Sequence, residues 1–260
     1  ISHYFKKNKI FYAKLPWMKE EYGDTINKRL AETFKNKKID AIIIDLRGNF
    51  GGSDNTYNLF LKNLMKDTLK VDLTIGRIFS PYNKKVYEIN KDTILKNPRY
   101  RFDVDASTLD SPKMYYMVFP EYKYVTPNAE TFPFDGPIYI LQDRFIYSSA
   151  SNLSNLATRT DRLISIGETP DLLGGLQTNP ALFTLPFSKI IFRLEPQIDL
   201  TNSKTKLDIF QNNVEYPLSY SIKSLYERFT TKEDIFGKEY LFHKDPMIKK
   251  VLDLERIRKK

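Results

Sequence analysis

The sequence predicts an α/β protein with a largely parallel or mixed sheet, built from βα units with helices packed on it. Three short apolar runs, rich in β-branched residues, are typical of strands buried on both faces. They are AIIIDL at 41–46, PIYIL at 137–141 and RLISIG at 162–167. A short turn and a segment of helical periodicity follow each of the first two runs, which is the order of a βαβ unit.

The N-terminal part supplies the first of these units. KIFYAKL at 9–15 alternates as a half-buried strand does. A helix is predicted over 24–36, with Asp24 as its N-cap and apolar residues at helical spacing. A second amphipathic helix is expected directly after the glycine-rich turn RGNFGG at 47–52.

The C-terminal part continues the alternation. A helix is predicted over 148–158, and two strands at 181–187 and 189–195 are expected to form a hairpin. The Asp245-Pro246 step has the residues that favour a helix start, so a last helix is predicted to begin there.

The whole chain, residues 1–260, is predicted to form one domain. Residues 69–135 contain an irregular insertion, because the stretch 114–134 combines prolines with seven aromatic residues. That stretch is either a lid that faces a substrate or a loop packed by its own side chains. Residues 201–260 form a C-terminal extension that ends in the last helix.

Composition excludes several chemistries. The chain has 260 residues, two histidines and no cysteine, so cysteine nucleophiles, disulfides and thiolate metal sites are ruled out. We expect no metal ion and no other cofactor.

No apolar run reaches the roughly 18 residues of a membrane-spanning helix. Six of the ten glycines fall in two patches, at 48–52 and 167–175.

The net charge of +9 comes partly from the C-terminus. A basic tail can bind nucleic acid or an anionic membrane. In residues 243–260, however, acidic residues and an apolar face interrupt the basic ones, which favours a solvated helix. We therefore expect no nucleic acid partner.

RGNFGG leaves a predicted buried strand and enters a predicted helix. Unpaired backbone N–H groups and the helix dipole at such a turn favour an anion or an oxyanion. The alternative is a tight turn that needs glycine only for its positive φ.

YSSAS at 147–151 has the same setting, directly before the helix predicted at 148–158. One interpretation is a nucleophilic serine placed where the helix dipole stabilises a developing oxyanion. The other is that Ser148 or Ser149 only caps the helix.

Three motifs in order resemble the C-terminal processing peptidases, also called tail-specific serine proteases. They are DLRGNFGG at 45–52, SASN at 149–152 and IGETPDLLGG at 166–175. The resemblance implies a catalytic core with the spiral fold of the ClpP/crotonase type and without a PDZ domain. It also implies a peptide or protein substrate, and a location in the periplasm, at the cell envelope or outside the cell.

By this resemblance Ser149 corresponds to the nucleophile. The N–H groups of Ala150 and of Gly51 or Gly52 would form the oxyanion hole. Asp45 and Arg47 of the first motif are expected to brace the turn, not to react. The oligomeric state is not predicted.

The chain departs from the family pattern at the general base. Many members use a lysine in the third motif, where this chain has Leu173 or Gly174. Asn152 also replaces the glutamate that follows Ser-Ala-Ser in the family.

A subset of the family uses a histidine ahead of a PDZ domain, a region this chain does not show, together with a downstream acidic residue. Gln211 stands nearest to that acidic position. Within the chain only His3 and His243 remain, and both are expected to lie at the surface near a terminus.

These observations favour a serine endopeptidase core whose base lies outside the matched motifs. The alternative is a peptidase-like protein that has lost catalysis and binds peptides or other ligands. A basic interaction domain is a third hypothesis.

Overall fold

The computed structural model describes residues 1–79, 113–157, 160–169, 181–194, 197–199 and 214–260. The chain divides into two compact units. The first comprises Ile1–Leu69, Val125–Asp171 and Asn212–Lys260, and the second comprises Lys70–Tyr124 and Leu172–Gln211.

Eleven strands and six helices are named here in chain order within the described residues. The strands are β1 (Ser2–Phe5), β2 (Ile10–Lys14), β3 (Ala41–Asp45), β4 (Leu69–Phe79), β5 (Lys113–Val125), β6 (Ile138–Gln142), β7 (Leu163–Gly167), β8 (Ala181–Thr184), β9 (Ile191–Leu194), β10 (Gln197–Asp199) and β11 (Tyr216–Pro217). The helices are α1 (Glu20–Asn36), α2 (Asn55–Leu64), α3 (Ser149–Leu156), α4 (Ile222–Thr230), α5 (Lys238–His243) and α6 (Pro246–Arg258).

The first unit is built on a six-stranded sheet in the order β1-β2-β3-β6-β7-β11. Only β1 and β2 pair antiparallel, and every other neighbouring pair is parallel. The predicted α/β class and the largely parallel sheet are therefore confirmed. Because β3 and β6 are parallel neighbours, the segments that follow them leave the sheet at the same edge.

The core covers both faces of the central strands. On one face, Tyr12, Ile43 and Tyr139 belong to a cluster with Met247 and Val251 of α6. All five residues of β2 are buried, so the prediction of a half-buried strand at 9–15 was wrong. One face of β2, which carries Ile10 and Tyr12, packs against the last helix, and Phe11 and Ala13 on the other face are buried too.

Helix α1 begins earlier than predicted. Lys19 is its N-cap, and Asp24 lies inside the helix. Glu20 and Glu21 occupy the first turn, where negative charge suits the helix dipole, and this favours a helix start before Asp24. The predicted helix start at Asp245-Pro246 is confirmed, with Asp245 as the N-cap of α6.

The second unit contains a three-stranded sheet in the order β10-β4-β5 and the hairpin β8–β9. The hairpin agrees with the prediction from sequence. Strand β5 covers residues 113–125 of the stretch expected to be irregular, because its aromatic and β-branched residues favour extended backbone.

No helix within the described residues is both long enough and apolar enough to cross a membrane.

The contribution of the core to stability can be tested at Ile43, which is fully buried in β3. Ile43→Ala should lower the free energy of unfolding by about 2–5 kcal/mol, because it removes buried methyl groups and leaves a cavity. Ile257→Ala, at an exposed position of α6, is the matched control and should stay within about 0.5 kcal/mol of wild type. Urea unfolding measures both, and equal effects would contradict this account of the core.

Candidate active site

Two turns meet at the carboxyl edge of the sheet. The first turn, residues 46–53, follows β3, and the second turn, residues 143–148, follows β6. The backbone N–H of Tyr147 donates to the carbonyl oxygen of Asn49 over 3.0 Å, which joins the two turns directly. The parallel pairing of β3 with β6 therefore brings the first two predicted motifs together.

The Asn49 side chain shapes the first turn from inside. It is fully buried, and its Nδ2 donates to the carbonyl oxygen of Leu15 over 2.9 Å. Its Oδ1 accepts from the N–H of Gly51 over 2.9 Å. At the rim, the N–H of Gly48 donates to Oδ1 of Asp143 over 3.1 Å, which adds a second bond between the turns.

Gly51 is in contact with the second turn and has no room for a side chain. Its φ is +94°, and a Cβ atom there would lie 2.6 Å from the Tyr147 carbonyl oxygen and 2.7 Å from the Ser148 Cβ. Such approaches are far shorter than van der Waals contact. The glycine is therefore required both by backbone conformation and by the closeness of the two turns.

Ser149 is the first residue of α3 and lies against the first turn. It is 4% exposed, and its Oγ donates to the Gly52 carbonyl oxygen over 2.7 Å. The preceding residue, Ser148, has φ 51° and ψ −125°, which is unusual for a residue with a Cβ. Strained backbone of this kind, costing about 1–3 kcal/mol, clusters at functional sites.

The backbone amides expected to bind an oxyanion differ in their present partners. The Gly51 N–H donates to Asn49, and the Ala150 N–H donates to the Tyr147 carbonyl oxygen over 3.1 Å. The Gly52 N–H makes no hydrogen bond to any residue that the structure describes. Of the three candidate donors, Gly52 is thus the one without an internal acceptor in that part of the chain.

A second contact links the helices that follow the two turns. Nδ2 of Asn152, in α3, lies 3.1 Å from each carboxylate oxygen of Asp54, which precedes α2. Asn152 is the residue that replaces the family glutamate. An amide can donate to Asp54, whereas a glutamate would repel it, so the two residue types fit each other.

Buried charges lie beneath the first turn. The Asp45 carboxylate is fully buried, and it accepts from the Tyr12 hydroxyl over 2.8 Å and from Nε of Arg47 over 2.9 Å. Burial alone would raise the pKa of Asp45, but the positive charges of Arg47 and Lys14 outweigh it and hold the pKa below its ordinary value. Neither Asp45 nor Arg47 bonds to Ser149, which fits the expected bracing role.

Lys14 is a buried cation that the sequence analysis did not identify. It ends β2, is 8% exposed, and its Nζ donates to the Arg47 carbonyl oxygen. Nζ also lies 3.6 Å from Oδ1 of Asp45 and 5.2 Å from the centre of the Phe236 ring. Burial lowers the pKa of Lys14, although the Asp45 charge partly offsets this. The visible signal was a lysine within an otherwise apolar strand.

The two histidines are engaged elsewhere in the described structure. Nε2 of His3 lies 2.7 Å from the Phe236 carbonyl oxygen, and the ring stacks on Tyr12. His243 is largely exposed beside Glu239. Neither contacts Ser149 among the interactions of the described residues.

The remaining predicted positions lie outside the described residues. These are Leu173, Gly174 and Gln211.

Asp54 is a site residue that the sequence analysis missed, and no local pattern could have shown that it meets Asn152.

The arrangement suits nucleophilic attack by a hydroxyl. A buried serine at a helix N-terminus, close to turn amides, is placed where negative charge on a substrate oxygen would be stabilised. The family model described as peptidase family S41 matches residues 9–211, a range that includes both turns.

This match places the chain among the peptidases, a class of hydrolases. The protein belongs to peptidase family S41, because the match covers well over half of the chain. The predicted membership of the C-terminal processing peptidases is thereby confirmed. No curated protein matches the sequence.

Solved structures share the fold at low sequence identity. Mature CPAF in complex with lactacystin has a TM-score of 0.59 and 15% identity, over 95% of this chain and 52% of that one. A Parabacteroides merdae protein described as a peptidase has a TM-score of 0.57 and 13% identity, over 98% and 63%. A Bacteroides fragilis protein described as an S41 protease has a TM-score of 0.51 and 14% identity, over 95% and 54%. The chain thus spans between about half and two thirds of the length of these proteins.

The contact between the turns can be tested at Gly51. Gly51→Ala and Gly48→Ala both place a Cβ at positive φ, but Gly48, with φ +73°, has nothing within 4 Å of the added atom. Gly51→Ala should therefore cost about 1–3 kcal/mol more than Gly48→Ala in the free energy of unfolding, because it also forces the turns apart. Denaturant unfolding measures the difference. Equal costs would mean that the turns do not depend on this contact.

The buried charges predict a dependence of stability on pH. Since the pKa of Asp45 is lower in the folded than in the unfolded chain, its contribution is complete above the ordinary carboxyl pKa of about 4 and is lost as pH falls below it. Asp45→Asn should make the loss of stability between pH 5 and pH 2 shallower. Unfolding free energies of both proteins across this range check the prediction, and parallel curves would contradict it.

Proposed function

We propose that the protein is a serine-type endopeptidase in which Ser149 is the nucleophile. The observation that carries the proposal is the position of Ser149, buried at the start of α3 with its Oγ 2.7 Å from the Gly52 carbonyl oxygen. The nucleophile motif and the glycine turn, about a hundred residues apart in sequence, meet there as a serine peptidase site requires.

In the proposed reaction, Oγ of Ser149 bonds to the carbonyl carbon of the substrate while its proton passes to a base. The carbonyl oxygen becomes an oxyanion, which the Gly52 N–H can bind, since it has no acceptor among the described residues. The N–H groups of Gly51 and Ala150 can join it by leaving their neutral acceptors, because a charged oxygen accepts a stronger hydrogen bond. The amine then leaves with the proton, and water hydrolyses the acyl-enzyme.

The base must replace the present partner of the Ser149 hydroxyl. The Gly52 carbonyl oxygen accepts a hydrogen bond but does not take up the proton, so attack requires a group that approaches Oγ. We assign this role to a histidine from outside the matched motifs. His3 would have to give up its contact with Phe236 to reach the site.

A peptide substrate agrees with the surface beside the first turn. Phe50 is 58% exposed and Trp17 is 48% exposed, with ring centres 6.5 Å apart. Exposed apolar side chains next to a site are typical of a binding surface. Location at the cell envelope or outside the cytoplasm stays a prediction from the family resemblance.

The nucleophile is tested with Ser149→Ala. This change should lower peptidase activity at least about 100-fold and abolish covalent labelling by a fluorophosphonate probe, in which Oγ displaces fluoride from phosphorus. Ser151→Ala is the matched control: it is the other serine of the motif, is 1% exposed, and its Oγ lies 3.4 Å from the Ile146 carbonyl oxygen.

Mass spectrometry locates the probe on the full-length protein. Activity or labelling that persists in Ser149→Ala would overturn the proposal. A wild-type protein that folds and binds peptides, yet is neither active nor labelled, would indicate the alternative of a binding protein that has lost catalysis.

A further inference from the structure

Arg47, in the first turn, has partners from two distant parts of the chain. Besides Asp45, it bonds through Nη1 to Oδ2 of Asp245 over 2.6 Å and to the hydroxyl of Tyr220. Arg47 is 5% exposed and Asp245 is 1% exposed. Because both charges are out of water, neither can exchange its partner for solvent without a large cost.

The two oxygens of Asp245 have separate roles. Oδ1 accepts from the N–H groups of Met247 and Ile248 over 2.9 and 3.1 Å, which caps α6. Oδ2 accepts from Arg47. One carboxylate therefore joins the start of the last helix to the first turn, 198 residues away in sequence.

The backbone of Arg47 is also held in place, so the bond to Asp245 bears on the position of the first turn. Its own N–H donates to Oδ1 of Asp45 over 3.0 Å, and its carbonyl oxygen accepts from Lys14. Side chain, N–H and carbonyl of one residue are thus all held, two positions before Asn49, whose side chain sets the Gly51 amide. A shift of the guanidinium would move the segment that meets Ser149.

We infer that Asp245 is a positioning residue for the active site: its carboxylate fixes Arg47 and thereby the glycine turn that faces Ser149. The last helix is then part of the catalytic architecture and not only a support for the sheet. This inference rests on the proposed function for its effect on rate, but its effect on the turn does not depend on catalysis.

Two further side chains, besides Arg47, lie close to Oδ2 of Asp245. Nη1 of Arg228 lies 3.6 Å from Oδ2 of Asp245, and the Tyr220 hydroxyl lies 3.5 Å from the same oxygen. Loss of the Asp245 charge therefore removes a carboxylate oxygen that the buried Arg47 and the partly buried Arg228 share. Repulsion between them favours displacement of Arg47.

Asp245→Asn and Asp245→Ser separate the two roles. Asparagine and serine are both good N-caps, so α6 should keep its start. Neither supplies a charge to Arg47, and serine is also too short to reach it. Asp40→Asn is the matched control, because Asp40 pairs with Lys259 beyond the opposite end of α6 over 2.7 Å and precedes β3 at the other edge of the sheet.

Two measurements test the inference. Hydrogen exchange of residues 46–53 should become faster in both Asp245 variants while exchange in α6 stays unchanged, and Asp40→Asn should not alter the turn. The rate constant for fluorophosphonate labelling of Ser149, and kcat, should fall about 10- to 100-fold, as expected for a misplaced catalytic group, with KM little changed.

Unchanged exchange in residues 46–53 in both variants would overturn the inference. So would a parallel increase in the turn and in α6, because that indicates general loss of structure. If the wild-type protein is not labelled at all, the proposed function fails, and the exchange measurement still decides whether Asp245 holds the turn.

Discussion

The site depends on one close contact, between the backbone of Gly51 and the segment 147–149. There is no space for even a methyl group between them. The parallel pairing of β3 with β6 sets the distance between the two turns, and the bond from Tyr147 to Asn49 sets their alignment. Ser148 adopts strained backbone where the second turn enters α3. The tight contact and the strained backbone are energetic costs of placing the Ser149 hydroxyl against the glycine turn.

The buried charges below the first turn carry a similar cost. Desolvating Asp45, Arg47 and Lys14 is expensive, and apolar residues of equal volume would often be as stabilising. Ion pairs with several hydrogen bonds have a different property, since they allow few geometries. Arg47 bonds to Asp45 through Nε and Nη2, the latter over 2.5 Å, so rotation of its planar group breaks several bonds at once. Such a cluster defines a backbone position more narrowly than apolar packing does.

The sequence predicted what local patterns determine. Strands β3 and β6, the turns after them and the start of α6 at Asp245-Pro246 were all evident from apolar runs, glycine and capping residues. The partners of buried polar groups were not, because strand order decides them: Lys14 meets Asp45 only since β2 and β3 are neighbours. The bond from Arg47 to Asp245 spans most of the chain and leaves no local trace.

Lys14 shows why a shifted pKa does not by itself identify a general base. A buried lysine with a lowered pKa is what a serine–lysine dyad requires. The Nζ of Lys14, however, donates to the Arg47 and Asp45 carbonyl oxygens and lies beside the Asp45 carboxylate, whereas the Ser149 hydroxyl donates to the Gly52 carbonyl oxygen. A base must reach the proton that it removes, and geometry therefore decides before pKa does. Lys14 accordingly stabilises the first turn, and in the reaction that we propose another group must remove the Ser149 proton, which now lies in a hydrogen bond to the Gly52 carbonyl oxygen.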